Sequence, residues 1–547
     1  MAAAPTRVSG LRSLLIDDMR DARANLRNQL NQLGINQVDQ GQNAAEGLKF
    51  LSANKYDLVI CDYNLGGSTN GQQLLEFLKG RKQLPASTIF FMVTAETGYN
   101  SVVAVGEFSP DDYLIKPFTA SNLESRLLRH FEKQDALAAV HKLLGASDLQ
   151  GVIAECDRVI AASPKYSVEL FRIKAQALMD LGRHQEAGPV YAQVLSVRGD
   201  IPWAQLGAAR ALKAGGGIAE ARAATESLIA ANPQFLGAYD LLAEIHSAEN
   251  NDDEAFRILQ QAESIAPSAN RTRIVGKKAH QIGNLEIAVA SFEKVIAATK
   301  NSVTRTSMDS STLSQVYVET GEPQKALEVL KAVQKDFAGD PAFLAMAAAI
   351  ESRAHRDLSH HEAAETALDK ALELAPQGGA EAAIAVAGAC LSGGRQEAGT
   401  KLLADAVRSN HEDPRVVALA KRVLKDTGNE GMTQNLIDGQ VKEIAAITET
   451  ALSIAKKARL DEAVAIITKA LTQLPDNTGV LLAAAQINLL WLSQKGMNME
   501  YVNRVKGYMI KLESLMPGHE RVLKMNQFFR ETLVRISAAK TPAAAAA

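Results

Sequence analysis

The spacing of apolar residues changes once along the chain, near residue 133, and no other feature constrains the fold as strongly. Before this point, short apolar runs alternate with amphipathic segments, whereas after it helix-forming segments follow one another without strand-like runs. The chain has 547 residues, too many for one hydrophobic core. We therefore predict two or more domains, with different architectures on the two sides of this change.

The first part of the chain has the pattern of a parallel β-sheet covered by helices on both faces. The predicted strands are residues 14–16, 37–38, 58–61, 89–93 and 113–115, and the predicted helices are residues 22–33, 44–51, 72–78 and 121–131. Right-handed crossovers leave few topologies for this order of elements. In such sheets, functional side chains collect at the carboxyl ends of the strands.

Polar residues of particular types lie at the ends of four of these strands. They are Asp17 and Asp18, Asp62, Thr94 and Lys116. Three carboxylates at one edge repel one another strongly unless a cation neutralises them, and hard oxygen ligands suit Mg²⁺ or Mn²⁺. We predict a metal site formed by the three aspartates and the backbone carbonyl of Asn64, in which the metal bridges Asp62 to an incoming phosphoryl group.

The residue types predict distinct roles in phosphoryl transfer, where a protein mainly positions groups and stabilises spreading negative charge. Asp62 is the expected nucleophile and phosphoacceptor. Lys116 would pair with Asp62 at rest and with a phosphoryl oxygen afterwards. Thr94 would donate a hydrogen bond only once the phosphoryl group is present, and this difference lets phosphorylation shift a conformational equilibrium.

This constellation resembles the receiver domains of two-component response regulators, over residues 11–133. The matching residues are Asp17, Asp18, Asp62, Thr94, Ala95, Asp112, Tyr113, Lys116, Pro117 and Phe118. The resemblance implies a flavodoxin-like (βα)5 fold, a role in phosphorelay signal transduction, and phosphorylation by a sensor histidine kinase or a phosphotransfer protein. It also implies that Tyr113 is an aromatic switch that moves with Thr94, and that the Lys116–Pro117 peptide bond is cis.

The loop after Asp62 departs from the family pattern. The family usually has Met-Pro followed shortly by Gly, whereas this loop reads Asn-Leu-Gly-Gly-Ser-Thr-Asn-Gly over residues 64–71 and is richer in glycine. The difference removes no chemical group, but we expect it to affect partner docking or the lifetime of the phosphoryl group. Asn64 and Glu96 occupy positions that tune dephosphorylation in the family, and this pair resembles that of chemotaxis-type receivers with a short-lived phosphoryl state.

The second part of the chain has a period of 34 residues. The pairs Glu186-Ala187, Glu220-Ala221 and Glu254-Ala255 follow one another at this spacing. Prolines that we interpret as closing each unit recur at Pro164, Pro233, Pro267, Pro341, Pro376, Pro414 and Pro475, and Gly182, Gly283 and Gly321 mark turns between helices. A helix–turn–helix unit of this length is typical of an α-solenoid.

This part resembles tetratricopeptide repeat (TPR) proteins, most closely in the stretch Trp-Ala-Gln-Leu-Gly at residues 203–207. The resemblance is clear over residues 165–300, degenerate over 300–430, and returns at 458–475. We predict an α/β receiver domain at 11–133, all-α TPR-like repeats at 134–475 and capping helices at 476–536. Residues 1–10 and 537–547 are predicted to be flexible or disordered, and an insertion at 301–311 to form a longer loop or a helix extension.

Composition excludes several classes of function. The formal net charge is -3, with acidic and basic residues interspersed, so no basic surface for nucleic acid is expected. No apolar run approaches the roughly 20 residues that span a membrane. The three cysteines lie too far apart for a disulfide framework or a metal site. These features predict a cytoplasmic protein.

The solenoid predicts an output by protein binding, because stacked repeats form a groove for peptides or helices. No catalytic constellation follows residue 133, so we predict no enzyme activity beyond the receiver's own phosphorylation and dephosphorylation. Phosphorylation of Asp62 would change contacts along the face formed by residues 98–131, next to the first repeats. A constitutive TPR scaffold with a docking-only receiver, and a phosphate sink in another phosphorelay, stay open as alternatives, as does a homodimer.

Overall fold

The computed structural model describes residue 8 and residues 10–67, 69–81, 83–85, 87–94, 110–146, 148–162, 164–197, 199–411, 413–516 and 520–538. Contacts divide the chain into two compact units, residues 1–309 and 310–547. The first unit contains the predicted receiver together with the first repeats, so this division does not fall at the predicted domain boundary. No helix among the described residues is long and apolar enough to cross a membrane.

Five parallel strands form the sheet of the first unit, in the order β2-β1-β3-β4-β5. The strands are β1 (Arg12–Ile16), β2 (Gln37–Gly41), β3 (Leu58–Asp62), β4 (Ile89–Thr94) and β5 (Asp112–Ile115). The helices that accompany them are α1 (Arg20–Gln32), α2 (Ala44–Ala53), α3 (Gly71–Gly80) and α4 (Ala120–Gly145). This is the flavodoxin-like strand order, and it confirms the predicted fold class.

The two faces of the sheet bury alternate residues of the same strands. Leu15, Ile60 and Phe91 pack on one face, in a cluster that includes residues of α1 and α4. Leu14, Val59 and Phe90 pack on the opposite face with residues of α2 and α3, and we call this second group the α3-side cluster. The two-residue side-chain period explains why each strand reads as a continuous apolar run.

Helix α4 belongs to two hydrophobic cores. Leu123, Leu127 and Phe131 pack against the sheet, whereas Leu137 and Val140, farther along the helix, pack with the first repeat helices. The sequence predicts a helix only to residue 131. Beyond that residue the apolar side chains of the helix pack against the repeats instead of the sheet, and the apolar pattern changes. The predicted boundary at 133 therefore lies inside a continuous helix, with no flexible linker in it.

Paired helices follow α4. In the first unit they are α5 (Leu149–Ala162), α6 (Ser167–Asp180), α7 (His184–Val197), α8 (Pro202–Ala214), α9 (Ile218–Ala231), α10 (Leu236–Ala248), α11 (Asp252–Ile265), α12 (Ala269–Gln281) and α13 (Leu285–Thr299). Helix α14 (Ser307–Glu319) begins at the end of this unit. The predicted insertion at 301–311 forms a loop only over residues 300–306, because residues 307–311 are already helical.

The second unit continues the helical pattern. Its helices are α15 (Pro323–Val333), α16 (Pro341–Asp357), α17 (His361–Leu374), α18 (Gly379–Ser392), α19 (Gln396–Asn410), α20 (Pro414–Asp426), α21 (Gly439–Lys456), α22 (Leu460–Gln473), α23 (Thr478–Lys495), α24 (Met499–Leu515) and α25 (Glu520–Ala538). Residues 537 and 538, predicted to be disordered, belong to α25. Residues 539–547 lie outside the described part of the chain.

Residues with a positive φ recur along the repeats more regularly than any one type of amino acid. Gly182, Gly216 and Asn250 stand 34 residues apart, and each has a positive φ in the turn between two helices. Further residues with a positive φ, Gly283, Gly321, Ser359, Gly394, Gly428 and Ala458, continue the series. A left-handed residue ends a helix and satisfies its last carbonyl groups. The sequence analysis identifies Gly182, Gly283 and Gly321 as turn residues and misses the residues of the series other than glycine.

Two of the prolines that we interpret as closing a repeat have a different role. Pro341 and Pro414 are the first residues of α16 and α20, where the missing amide hydrogen leaves no hydrogen bond unmade. They therefore open helices, and the interpretation is wrong at these positions.

Small residues allow close contacts between the repeat helices. A Cβ atom added to Gly207 of α8 would lie 2.3 Å from the ring of Tyr191 in α7. Trp203 of α8 also packs edge-on against Tyr191, with 6.4 Å between ring centroids, and the guanidinium of Arg172 lies over its indole. The Trp-to-Gly stretch at 203–207 is thus a packing motif between neighbouring repeats.

Replacing Gly207 by alanine should destabilise the protein by about 1–3 kcal/mol, because the new methyl group overlaps Tyr191. Gly507, inside α24, is a matched control since an added Cβ meets no atom within 4 Å. Alanine at that position should stabilise its helix by about 0.5–1 kcal/mol. Thermal unfolding followed by circular dichroism measures both variants, and a Gly207→Ala midpoint at or above that of the original protein would contradict the close approach.

Candidate functional site

The carboxyl edge of the sheet brings together residues from three strand ends. Asp17 follows β1, Asp62 ends β3, and Lys116 follows β5. The ammonium group of Lys116 donates to Asp17 Oδ2 at 3.1 Å and forms a shorter hydrogen bond with Asp62 Oδ2. The side chain of Asp17 is only 1% exposed and that of Asp62 is 12% exposed. The structure thus places these three side chains as predicted, while their chemical roles stay predictions.

The charges of Asp17, Asp62 and Lys116 affect one another strongly. Burial raises the pKa of Asp62 above its ordinary value; Lys116 opposes this shift and the neighbouring Asp17 carboxylate adds to it. Burial lowers the pKa of Lys116, but hydrogen bonds and charge from Asp62 and Asp17 outweigh it, so the net shift is upward. One lysine therefore balances two carboxylates, which leaves an excess of negative charge in a largely buried place.

Backbone amides orient both carboxylates. The amide of Asn64 donates to Asp62 Oδ1 at 3.1 Å, and the amide of Met19 donates to Asp17 Oδ1 at 2.8 Å. The carbonyl oxygen of Asp17 accepts a hydrogen bond from Arg23 of α1 at 2.5 Å. Each carboxylate thus has one oxygen held by the chain and the other turned toward Lys116.

Two glycines shape the loop between β3 and α3, and sequence reasoning assigned them no role. Gly66 has φ +64°, and an added Cβ would lie 2.5 Å from Asp18 Oδ2. A Cβ added to Gly71 would lie 2.2 Å from the carbonyl oxygen of Asp62. At Gly71 the chain passes so close to the backbone of Asp62 that only glycine fits, whereas at Gly66 the positive φ favours glycine. The glycine-rich composition of the loop was the signal for this close approach.

Only two of the three predicted aspartate ligands lie close together. Among the residues that the structure describes, no three His, Cys, Asp or Glu side chains are arranged to hold a metal ion. Asp17 and Asp62 face the same lysine, whereas Asp18 is exposed and lies against Gly66. The carboxylates of Asp17 and Asp62 fit a divalent cation, because a second positive charge would offset both the burial and the repulsion by Asp17 that raise the pKa of Asp62.

The predicted switch residues lie beside this group. Thr94 ends β4 and is 4% exposed, and its carbonyl oxygen accepts from the amide of Lys116 at 2.8 Å. Tyr113 of β5 is half-buried and packs against the α3-side cluster, as Tyr63 does. Burial, together with the nearby Tyr63, raises the pKa of Tyr113 well above its ordinary value. The Lys116–Pro117 peptide bond is cis, as predicted.

Some predicted positions fall outside the described residues. Ala95, Glu96 and the part of the 98–131 face before residue 110 are among them. The role of Glu96 in dephosphorylation therefore stays a prediction from resemblance.

The Asp62→Asn variant should unfold at a higher temperature than the original protein at pH 7 in the absence of divalent cations. A carboxyl whose pKa is raised by folding favours the folded state while protonated, and this contribution is lost as the pH rises through its folded pKa. The gain should therefore shrink as the pH falls toward about 4, the ordinary range of carboxyl groups. Thermal unfolding at several pH values in the presence of EDTA measures it.

Asp57→Asn is the matched control, because Asp57 lies just before the opposite end of β3 and accepts a hydrogen bond from the amide of Arg12 at 2.9 Å. This variant should show no gain in midpoint at pH 7. A gain for Asp62→Asn that persists unchanged at acidic pH would contradict the charge-repulsion account.

Comparisons with known proteins agree with both halves of the chain. Residues 14–128 match the family model of the response regulator receiver domain. Residues 350–377 match that of the tetratricopeptide repeat and correspond to the end of α16 and to α17. This second match falls in the stretch that we describe as degenerate, so repeat character is better preserved there than the sequence pattern indicates.

The curated relatives match about a fifth of the chain. Chemotaxis protein CheY-3 of Vibrio cholerae is 28% identical over 123 residues, which is 22% of this chain and 93% of the relative. Chemotaxis protein CheY of Pseudomonas aeruginosa is 27% identical over 123 residues, or 22% and 98% of the two chains.

Solved structures of repeat proteins match the helical part. A tetratricopeptide repeat protein of Parabacteroides merdae is 15% identical over 44% of this chain and 92% of its own, with a TM-score of 0.30. A TPR protein of Thermus thermophilus is 22% identical over 32% and 94%, with a TM-score of 0.24. These TM-scores are too low for the superpositions to carry an argument. On its own architecture and the family matches, the chain joins a response regulator receiver domain to tetratricopeptide-type helical repeats.

Proposed function

We propose that this protein is a cytoplasmic two-component response regulator whose Asp62 accepts a phosphoryl group and whose repeats bind another protein. The observation that carries the proposal is the group of Asp17, Asp62 and Lys116 at the carboxyl edge of a receiver-type sheet. The phosphoryl donor would be a sensor histidine kinase or a phosphotransfer protein. The receiver would promote only its own phosphorylation and dephosphorylation.

The transfer would form one bond and break another at the same phosphorus atom. A carboxylate oxygen of Asp62 attacks the phosphorus of a phosphohistidine, the phosphorus–nitrogen bond breaks, and the imidazole leaves with the bonding electrons. Mg²⁺ or Mn²⁺, held by Asp17, Asp18, Asp62 and the carbonyl of Asn64, would supply positive charge for the phosphoryl oxygens.

Residues of this chain would stabilise the product. Lys116 exchanges its contact with Asp62 Oδ2 for one with a phosphoryl oxygen, where it opposes the new negative charge. Thr94 donates its hydroxyl hydrogen to the phosphoryl group, and Tyr113 moves with it. Because these contacts exist only after transfer, they shift the receiver between two conformations.

The lifetime of the phosphoryl group would be short. The two chemotaxis relatives match nearly their whole length to this receiver, and Asn64 and Glu96 form the residue pair typical of chemotaxis-type receivers. Asn64 follows Asp62 closely enough for its amide to hold the acceptor carboxylate. Its side chain would therefore lie near the water that hydrolyses the acyl phosphate.

A cleft in the second unit suits a protein ligand. A cavity of about 310 Å³ lies between α21, α23 and α25. Leu452, Leu482 and Phe528 line it together with Arg521 and Lys524. An apolar lining with a few polar groups suits a hydrophobic anchor residue of a bound peptide. This cleft lies mainly among the predicted capping helices, close to the predicted end of the repeats.

Incubation with acetyl phosphate and Mg²⁺ should add the mass of one phosphoryl group to the intact protein. Asp62→Asn should abolish the addition, because no other side chain occupies the acceptor position. Lys116→Met should slow it by about 10²-fold or more, as expected for the loss of one charge-stabilising group. Intact-mass spectrometry at timed intervals measures all three.

The control for this experiment is Asp57→Asn. This variant removes a carboxylate just before the amino end of β3, away from the acceptor site, and should label like the original protein. Labelling that survives Asp62→Asn, or that fails in the original protein, would contradict the assignment of Asp62 as the phosphoacceptor. Partner binding that is unchanged by beryllofluoride would favour the constitutive scaffold instead.

A further inference from the structure

The loop at residues 300–306, which we call the insertion loop, lies against the receiver part of the first unit. The hydroxyl groups of Ser302 and Thr69 are 2.6 Å apart, although 233 residues separate them in sequence. Val303 packs against the α3-side cluster of the sheet. The insertion loop thus makes one polar and one apolar contact with the receiver.

The repeats hold the insertion loop in place. Arg273 of α12 forms two hydrogen bonds with Asp309, at 2.7 and 2.9 Å, and Asp309 is 1% exposed. The same guanidinium donates to the carbonyl oxygen of Thr304 at 3.2 Å. Within the loop, Ser302 Oγ accepts from the amide of Thr304 at 3.1 Å. This bonded path leads from a buried ion pair in the repeats to Ser302.

The receiver side of the contact is the β3–α3 loop, which directly follows the predicted phosphoacceptor Asp62 and which we call the phosphoacceptor loop. Thr69 lies in the same β3–α3 loop as Gly66, against which Asp18 packs. The α3-side cluster that holds Val303 also holds Tyr113, the predicted switch residue. Both contacts of the insertion loop therefore involve parts of the receiver that phosphorylation of Asp62 would change.

A second contact supports a close approach of repeats and receiver. Burial lowers the pKa of Lys79, near the other end of α3, and the charges of Asp111, Arg172 and Glu169 also act on this pKa. Lys133 of α4 also pairs with Glu169 at 3.4 Å. An ion pair between α4 and α6 thus also joins the receiver to the repeats.

We propose that the insertion loop is an interaction surface that closes on the phosphoacceptor loop while Asp62 is unphosphorylated and leaves it after phosphorylation. The proposal rests on the proposed function of Asp62. The contact occurs here with Asp62 paired to Lys116, the resting arrangement. A phosphoryl group adds about two negative charges next to this loop. Movement of Tyr113 then alters the apolar surface on which Val303 rests.

Coupling of this kind acts in both directions. If phosphorylation opens the contact, a contact held closed must oppose phosphorylation by the same free energy. A ligand that orders or displaces the repeats around α12 and α14 would therefore change the phosphoryl occupancy of Asp62. The repeats become a regulator of the receiver as well as its output.

The double variant Thr69→Cys/Ser302→Cys tests the closed contact in the full-length protein. Hydroxyl groups 2.6 Å apart place the two Cβ atoms within reach of a disulfide. The natural cysteines Cys61, Cys156 and Cys390 are buried, so they contribute little background. Oxidation with diamide should give a fast intramolecular crosslink, which beryllofluoride with Mg²⁺ should slow about fivefold or more.

The matched control is Thr69→Cys/Ser196→Cys, since Ser196 is an exposed residue of α7 outside the contact. It should not crosslink within one molecule. A Thr69–Ser302 crosslink that fails to form overturns the closed contact. One that forms equally fast when mass spectrometry shows Asp62 phosphorylated by acetyl phosphate overturns the coupling.

The reverse direction is tested by Val303→Asp, which places a charge on the apolar cluster. This variant should take up phosphate from acetyl phosphate about fivefold faster or more than the original protein. Val197→Asp, at a residue that is 65% exposed, should label at the original rate. Equal rates for all three proteins overturn the coupling, whereas no labelling of the original protein overturns the proposed function and leaves the crosslink as evidence of contact alone.

Discussion

The balance of charge around Lys116 is the constraint on which the rest of the receiver depends. Asp17 and Asp62 lie on the neighbouring strands β1 and β3, and a single lysine from the end of β5 reaches both. Two buried carboxylates that share one cation are tolerated only while that cation is held in position. The strand order and the connection after β5 are therefore conditions for the acceptor site, because they bring Lys116 across β4 to Asp62.

This balance is incomplete, and the proposed phosphoryl transfer depends on that. The excess of negative charge at this edge of the sheet would attract a divalent cation and, through it, phosphoryl oxygens. The close passage of Gly66 and Gly71 past the acidic residues keeps the loop near this charge. The proposed phosphorylation of Asp62 would therefore act on the loop that continues to Thr69 and α3.

Two of the connections between the receiver and the repeats in the described part of the first unit differ in kind. One is continuous in sequence, because α4 contributes Phe131 to the sheet core and Leu137 to the first repeat core. The other is made in space by Ser302 and Val303. A helix shared by two cores holds the sheet and the first repeat helices in a fixed arrangement. A small loop contact, by contrast, is weak enough to form and break. That difference makes the loop the better element for a reversible response.

Much of the fold followed from pattern alone, and the errors have physical causes. The predicted strands lie within the observed ones because a buried parallel strand needs a continuous apolar run. The helix ending at residue 131 was too short, since α4 leaves one core and enters another without a break in helical geometry. Pro341 and Pro414 were misread because proline is favoured both after a helix and at its first position.

The sequence by itself determined which residue types stand at the strand ends, the change from a sheet to repeated helices, and the 34-residue spacing of those helices. These follow from local periodicity and from the order of elements along the chain. Only the tertiary structure decided that Asp18 lies against Gly66 while Asp17 and Asp62 share Lys116, and that Thr69 meets Ser302. The first two contacts depend on how the carboxyl ends of the strands meet, and the last depends on the summed rotations of the helices between residues 69 and 302. No local pattern of amino acids records either.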